Sequence, residues 1–567
     1  VIAPIVDVRN DGDLHRRPNC HRSFGGCHST GPGLVGGQRI ISRPVVSPAR
    51  CRPAVPDPLV LTMVSRQLPA SSDVVIVGGG PAGAVAAHLL AAWGHAVLVF
   101  TKPESDAPTL AESIPPSCRK LFRAVGVLEA VDAAGFYRST GNTVWWGDGE
   151  SRSERFAEGA FGHQVERRRF DRLLRSQAEA AGARISERMV KRVEFAEGRA
   201  VVGVADGGGD TRVDAQIVLD CSGRAGVVAR HGFRRYGDGP ATLAIVAIWD
   251  RASGWPLSEP SHTLVEAYRD GWAWSVPVSA SRRYLTVMVD PRATDLERGG
   301  NLADTYRVEL AKTQRLAGLT EGATLAIEPW ACDASVYAAE RYSAPACLLV
   351  GDAASFIDPL SSFGVKKAIA SAWMASIVAN TCLTRPEMAE PARGFYAARE
   401  AEVVTSFARQ AADYFGDAAT AHDHPFWAGR STVGDDLAGL GMQPPAAIDV
   451  ETLRGDPTVR AAFGDLKQRS GIDFVPGDRL RIERQPGIAG REVVLEARLR
   501  LETPAIPPTA VRFVRGVDLP ALVGMAGDCD QVPDLFEVYN DRHPEVGLPD
   551  FLGALSLLLA AGALKNR

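Results

Sequence analysis

A glycine-rich segment between a predicted strand and a predicted helix constrains this sequence more than any other feature. Residues Asp73–Gly83 have the sequence DVVIVGGGPAG, in which apolar β-formers lead directly into the glycines. Gly78 suits a tight turn, Gly80 lets the backbone approach a pyrophosphate, and Gly83 lets the helix pack close to the strand. Free N–H groups at the helix N-terminus attract phosphate. The segment therefore predicts a dinucleotide-binding unit.

The residues that follow complete this unit. A helix is expected from about 82 to 93, Gly94 ends it, and residues 96–100 form a second strand. An acidic residue usually ends that strand and binds the ribose hydroxyls, but Thr101 and Lys102 stand there, and threonine is the weaker partner. The cofactor-binding residues predicted from this unit are Gly78, Gly80, Pro81, Ala82, Gly83, Thr101 and Lys102.

Size and composition bound the remaining possibilities. A chain of 567 residues is expected to form two or three domains. Its net charge of −4 gives no indication of a nucleic-acid partner. The nine cysteines show no metal spacing, so we expect no metal site and a reducing, cytoplasmic location. The longest apolar run, 551–564, is too short for stable membrane insertion.

Residues 1–70 are predicted to be a disordered extension. They are rich in Arg, Pro, Gly, His and Ser, without a periodic apolar pattern or the apolar core of a signal peptide. Met63 stands just before the first strand and would make a sensible initiator. The sequence leaves open whether residues 1–62 are natively present.

A second nucleotide-binding element is predicted far downstream, in 346–360, ACLLVGDAASFIDPL. A buried strand ends at a Gly-Asp pair whose carboxylate can accept hydrogen bonds from ribityl hydroxyls. The helix that follows can direct its N-terminal N–H groups at a flavin ring oxygen. A strand–turn–helix without a ligand is the alternative. The predicted cofactor-binding residues of this element are Gly351, Asp352, Pro359, Gly364 and Val365.

Together these motifs resemble the glutathione-reductase-type FAD fold of class A flavoprotein monooxygenases, and within it the flavin-dependent halogenase branch. Four further segments carry the resemblance: AESIPP at 111–116, QVERRRFD at 164–171, DCSGR at 220–224 and WAWSVP at 272–277. The resemblance implies FAD as the cofactor, with Ser113 and Arg167 beside it.

The resemblance also implies an α/β architecture in three parts. Residues 71–390 would form a Rossmann-like FAD-binding domain with an inserted antiparallel substrate sheet, about 140–165 and 240–330. Residues 391–567 would form a mainly helical C-terminal domain, for which a winged-helix-like module is one form. This domain would act as a lid or as a docking site for a carrier protein or peptide; packing support is the alternative.

The sequence departs from the halogenases at the positions tied to halogenation. Residues 135–147, GFYRSTGNTVWWG, keep the halogenase frame, but Ser139 replaces the lysine that handles hypohalous acid. In the segment DPLSSFG, Ser361 replaces an assisting glutamate and Phe363 a halide-binding hydroxyl. We interpret Lys366 and Lys367, one turn later, as ordinary helix residues.

With the halide route absent, the resemblance implies an FAD-dependent monooxygenase. Reduced flavin and O₂ give a C4a-hydroperoxide, whose distal oxygen passes to an electron-rich ring such as an indole or phenol. The substrate would be an aromatic small molecule, a carrier-bound aromatic or a peptide, including a peptide tryptophan hydroxylated in quinone-cofactor maturation. NAD(P)H or a separate flavin reductase would supply the electrons. An FAD-dependent halogenase, a flavin-dependent reductase or dehydrogenase, and a non-enzymatic FAD-binding protein are the alternatives.

Aromatic and hydroxyl side chains are the candidates for the substrate pocket. Two tryptophans at i and i+2 of a strand point to one face, where they would shield the flavin or simply form sheet core. His422 and His424 are interpreted as surface loop residues, and no catalytic residue is identified from the sequence. The candidate pocket residues are Ser139, Trp146, Tyr268, Trp272, Trp274, Ser361 and Ser362.

Overall fold

The computed structural model describes residues 67–147, 151–196, 198–206, 209–236, 239–296, 299–432, 448 and 450–567. The elements below belong to one compact unit, Pro69–Arg567. Of the predicted disordered extension, residues 1–66 lie outside the described residues.

The helices of the described chain are α1 Pro81–Ala92, α2 Cys118–Ala124, α3 Leu128–Ala133, α4 Arg167–Ala180, α5 Leu302–Ala311, α6 Leu316–Leu319, α7 Gly364–Thr384, α8 Ala389–Ala421, α9 Pro425–Ser431, α10 Val450–Gly455, α11 Pro457–Gln468, α12 Leu519–Met525, α13 Val532–Arg542 and α14 Leu548–Ala560.

The strands are β1 Ser71–Val77, β2 Val97–Phe100, β3 Ala111–Ile114, β4 Tyr137–Ser139, β5 Gly141–Trp145, β6 Ser151–Arg155, β7 Gly162–Glu166, β8 Arg184–Ser186, β9 Val190–Ala196, β10 Arg199–Asp206, β11 Gly209–Asp220, β12 Arg234–Tyr236, β13 Leu243–Asp250, β14 Thr263–Tyr268, β15 Gly271–Pro277, β16 Arg282–Val289, β17 Thr324–Asp333, β18 Tyr337–Ala339, β19 Ser343–Ala344, β20 Cys347–Leu349, β21 Ser355–Phe356, β22 Phe474–Pro476, β23 Ile482–Ala489, β24 Glu492–Thr503, β25 Ile506–Val511, β26 Phe513–Val514, β27 Val517–Asp518 and β28 Leu564–Asn566.

A largely parallel sheet forms the predicted nucleotide unit. Its strand order is β19-β20-β11-β1-β2-β8, with β10 and β9 extending from β11. Strand β1 pairs in parallel with β2 and β11, and β11 with β20. Helix α1 packs against α4 and α7. The carboxyl ends of β1, β11 and β20 therefore meet at one edge, which is where open α/β sheets bind ligands.

The inserted sheet has seven strands in the order β17-β13-β16-β15-β14-β5-β6. All its pairings are antiparallel except β14 with β5, which is parallel. One face is covered by α5 and α6, whose Tyr306 and Leu316 pack with Leu285 and Val287. The opposite face carries the side chains that alternate with these, as the two-residue period of a strand requires.

The C-terminal part is helical through α9 and mixed beyond residue 448. Strands β23 and β24 pair in an antiparallel hairpin, joined by a turn at Gly490, which has φ +59°. Leu499, Leu535 and Leu555 belong to a separate apolar core there. Together with the two sheets, this gives the predicted α/β architecture.

Candidate functional site

The three glycines of the first motif have different structural roles. Gly78 has φ +108°, and a Cβ there would collide with the Cys221 carbonyl oxygen. A Cβ on Gly83 would collide with the Gly78 carbonyl, so helix and strand require glycine at their closest approach. At Gly80, by contrast, a Cβ would meet no described atom closer than 3.8 Å, from Arg167 Nη2. Gly80 thus leaves space beside the helix N-terminus that a bound group can use.

The second predicted element lies directly against the first. Gly351 has φ +63°, and a Cβ added to it would come within 3.2 Å of the Ala82 Cβ on α1. Asp352 follows at the start of a short 3₁₀ turn, Gly351–Ala353. Close packing of glycine on alanine therefore brings the two motifs together, although they are far apart in sequence.

One cavity of about 640 Å³ joins both motifs to the inserted sheet. Most of the cofactor-binding residues predicted from the sequence line it. These are Gly78, Gly80, Pro81, Ala82, Thr101, Lys102, Ser113, Arg167, Asp352, Pro359, Gly364 and Val365. Gly83 and Gly351 do not line it; they make the close contacts between the elements that do.

A charged cluster lies beside Gly80 at the nucleotide end of the cavity. Arg167 donates to Glu112 at 3.2 Å and to Asp171 at 3.1 Å. Burial alone would lower the pKa of Arg167, but the two carboxylates outweigh this effect and hold the pKa above its usual range. Burial raises the pKa of Glu112. Sequence reasoning placed Arg167 at the cofactor and missed its two partners.

Ser113 connects the cavity to the inserted sheet. Its oxygen accepts a hydrogen bond from the Thr263 hydroxyl on β14 at 2.9 Å, and Thr263 in turn accepts from Gln164 Nε2 at 3.0 Å. The hydroxyl hydrogen of Ser113, a residue that lines the cavity, remains available for another acceptor.

The opposite end of the cavity is mainly apolar. The inserted sheet contributes Val246, Trp274, Thr286 and Met288 to its wall, and the loop after β21 contributes Ile357 and Asp358. Asp358 is 7% exposed and accepts one hydrogen bond, from the Leu360 N–H at 2.9 Å. Burial raises the pKa of Asp358 to about 6. Sequence reasoning missed this carboxyl as a site residue, although it was visible in the DP pair.

The structure separates the candidate substrate residues. Trp274 and Ser362 line the cavity, and Ser362 has φ +52°. Trp272, 1% exposed, packs with Trp146, which in turn packs with Trp427 of α9, and these three residues lie outside the lining. A strand pattern could not predict the contact with Trp427, because α9 is distant in the sequence.

The remaining candidates also lie outside the lining residues of the cavity. Tyr268 is buried in the core under α5, where its hydroxyl donates to Glu309. Ser139 is 1% exposed on β4, and its hydroxyl donates to the Gly141 carbonyl at 3.2 Å. Ser361 lies in the short turn Pro359–Ser361 and accepts from the Phe363 N–H. Their roles at a substrate stay predictions.

The described residues contain no group of side chains with the composition of a metal site. None of the helices in the described part of the chain combines the length and apolar character that crossing a bilayer needs.

Comparison with known proteins agrees with this geometry. Residues 71–377 match the family model for an FAD binding domain, and the chain belongs to this family. Glycine at position 80, the N-terminus of α1 and the Asp352 carboxylate suit FAD, so the predicted cofactor and family are confirmed.

Curated relatives include halogenases. The chain is 29% identical over 320 residues to a tryptophan 2-halogenase from Chondromyces crocatus, covering 55% of this chain and 61% of that protein. It is 28% identical to a 1H-pyrrole-2-carbonyl-[peptidyl-carrier protein] chlorinase from Pseudomonas fluorescens, covering 54% and 74% of the two chains.

Solved structures extend the likeness to the C-terminal part. The peptidyl tryptophan dihydroxylase QhpG is 26% identical, with a TM-score of 0.62, covering 87% of this chain and 100% of that one. The flavin-dependent halogenase CmlS has a TM-score of 0.66 at 21% identity, with coverage of 88% and 96%. At that identity CmlS shows the fold alone.

Proposed function

We propose that this protein is an FAD-dependent monooxygenase that hydroxylates an electron-rich aromatic ring, of an indole or a phenol. Bound FAD supplies the redox chemistry with O₂. The protein holds the cofactor, orients the ring and limits water at the apolar end of the cavity. The proposal rests on the side chains that line the apolar end, among which the described residues include no lysine.

No lysine lies at the apolar end among the described lining residues. Lys102, the lysine in the lining, lies with Thr101 at the nucleotide end. Lys366 donates to the Ser117 hydroxyl at 3.2 Å, and the buried Lys367 donates to backbone carbonyls. Ser139 stands where the halogenase lysine is expected. This arrangement favours oxygen transfer over hypohalous acid chemistry.

Asp358 adds a proton acceptor to this end of the cavity. When a C–O bond forms on an aromatic ring, the ring carbon must lose its proton, and the C–H electron pair returns to the ring. A carboxyl with a pKa near 6 accepts such a proton at neutral pH. A substitution on an aromatic ring of either kind, oxygenation or halogenation, needs this step.

The relatives support two substrate forms. One is a tryptophan within a peptide, as in the name of QhpG, and the other is a carrier-bound aromatic, as in the name of the pyrrole chlorinase. QhpG aligns with 87% of this chain at 26% identity, whereas the pyrrole chlorinase aligns with 54% of it, so we favour a peptide. NAD(P)H or a partner flavin reductase would supply the electrons.

Halogenation is the second candidate. The observation in its favour is that the curated relatives named above are halogenases. It requires that another group replace the lysine missing at Ser139.

Product analysis distinguishes the candidates. The FAD-loaded protein is given a reductase, NADH, O₂ and bromide with a panel of free indoles and phenols and tryptophan-containing peptides. A gain of one or two oxygen atoms in the product supports hydroxylation, and a brominated product would overturn it. Loss of two hydrogens without O₂ would instead favour a dehydrogenase.

A further inference from the structure

The turn that presents Asp352 to the cavity is held from behind by a buried lysine. Lys367 of α7 is 3% exposed, and its ammonium donates to the Gly351 carbonyl at 3.1 Å and to the Ser355 carbonyl at 2.6 Å. Its Nζ lies 3.7 Å from Asp352 Oδ1. Lysine is rarely buried to this degree, so the interpretation of Lys367 as an ordinary helix residue is wrong.

The support continues into α8. The Ser371 hydroxyl accepts from the Gly351 N–H at 2.9 Å and lies 3.2 Å from the Tyr396 hydroxyl. Tyr396 donates to the Leu349 carbonyl at 2.6 Å. Both ends of the turn are thus bound to helices. One of these helices, α8, begins at Ala389 and so lies outside the matched family region, which ends at residue 377.

A buried carboxyl accompanies the buried ammonium. Glu400 of α8 is 4% exposed. Burial raises the pKa of Glu400, while the charge of Lys367 opposes that rise. Charges in a protein interior persist where an opposite charge and hydrogen bonds compensate the loss of water. Lys367 has both, which fits a fixed position under the turn.

We propose that Lys367 is a positioning residue for FAD and that Ser371 and Tyr396 belong to the same support. The ammonium binds two backbone carbonyls of the turn and so holds Asp352 at the cavity wall. There its carboxylate would accept hydrogen bonds from hydroxyl groups of the cofactor. The inference depends on FAD binding alone, so neither outcome of the product analysis affects it. It also means that α8, outside the matched family region, contributes to cofactor affinity.

Titration of apoprotein with FAD, followed by flavin fluorescence, tests the proposal with two adjacent lysines. Lys367→Met removes the charged donor and leaves two carbonyls unpaired, so FAD should bind about tenfold more weakly. Lys366→Met, the matched control, removes the hydrogen bond to Ser117 and the cation–π contact with Phe363, and FAD affinity should stay within about twofold of wild type. Equal affinities in the two folded apoproteins would overturn the proposal. So would a lowered melting temperature of Lys367→Met with an unchanged Kd, because that result assigns the lysine to folding alone.

Milder variants decide the matter if Lys367→Met does not fold. Ser371→Ala and Tyr396→Phe each remove one hydroxyl from the support, and each should weaken FAD binding by about two- to fivefold. Lys367→Arg keeps the charge and should bind FAD better than Lys367→Met wherever both fold. Unchanged Kd values for both Ser371→Ala and Tyr396→Phe would refute the support.

Discussion

The two ends of the cavity are built in different ways. The nucleotide end consists of backbone at Gly80, a helix N-terminus and the charged cluster around Arg167. The other end consists of side chains from the inserted sheet, with Asp358 as a buried carboxyl. Backbone sites bind the phosphates that many flavoproteins share. The side chains at the apolar end, by contrast, distinguish one reaction from another.

The largest effect is expected at the nucleotide end, from Gly80→Val. The new side chain fills the space beside α1, and overpacking of this kind costs about 1–3 kcal/mol, equivalent to a loss of FAD affinity of about 10- to 100-fold. Flavin absorbance of the purified protein measures the loss. Gly394→Val, on the exposed face of α8 with no neighbour within 4 Å, is the control. Wild-type flavin content in Gly80→Val would contradict the assignment.

Arg167→Met should have the next largest effect. It removes the charged donor of Glu112 and Asp171, so the acidic groups beside Gly80 would repel the cofactor phosphates. We expect about tenfold weaker FAD binding, by titration of the apoprotein. Arg172→Met on the same helix removes only the exposed pair with Glu104 and should change little. If the two variants bind FAD alike, the cluster has no role in cofactor binding.

At the apolar end, Asp358→Asn tests whether the pKa of the buried carboxyl is raised. Burial raises the pKa of Asp358 from 3.8 to about 6. A carboxyl with a raised folded-state pKa adds stability below about pH 4 that is lost as pH rises through 6. The difference in free energy of unfolding between Asp358→Asn and wild type should therefore shift in favour of the variant, by about 1–3 kcal/mol, from pH 4 to pH 8.

Denaturant unfolding at the two pH values measures this difference. Asp333→Asn is the matched control at the cavity wall. Burial alone would raise the pKa of Asp333, but hydrogen bonds from Ser335 and the Arg224 charge lower it. That variant should show the opposite dependence on pH. A pH-independent effect of Asp358→Asn would mean that the carboxyl titrates normally.

The smallest effect is a gain, from Thr101→Asp. This change restores the acidic residue that usually binds the ribose. A charged acceptor in place of a hydroxyl is worth about 1 kcal/mol, so FAD should bind a few-fold more tightly. Titration of the apoprotein measures it, with Thr324→Asp, the same change at an exposed position of β17 outside the cavity lining, as the control. Weaker binding in Thr101→Asp would show that the ribose lies elsewhere.

Much of the nucleotide end could be predicted from the sequence, since its chemistry is local. Gly78, Gly80 and Gly83 lie close together in the sequence, and their spacing alone gives strand, turn and helix. The inserted sheet was expected from the family resemblance, at about residues 140–165 and 240–330. Arg167 was placed by motif, but its contacts with Glu112 and Asp171 required the fold.

The sequence by itself determined the FAD-binding unit and the strand face that carries both Trp272 and Trp274. Only the tertiary structure decided that Trp274 lines the cavity while Trp272 is buried in the apolar cluster that includes Trp427 of α9. The same holds for Lys367, which became a buried support because α7 packs under the Gly351 turn. The physical reason is that backbone conformation follows from neighbouring residues, whereas burial and hydrogen-bond partners depend on segments distant in the chain.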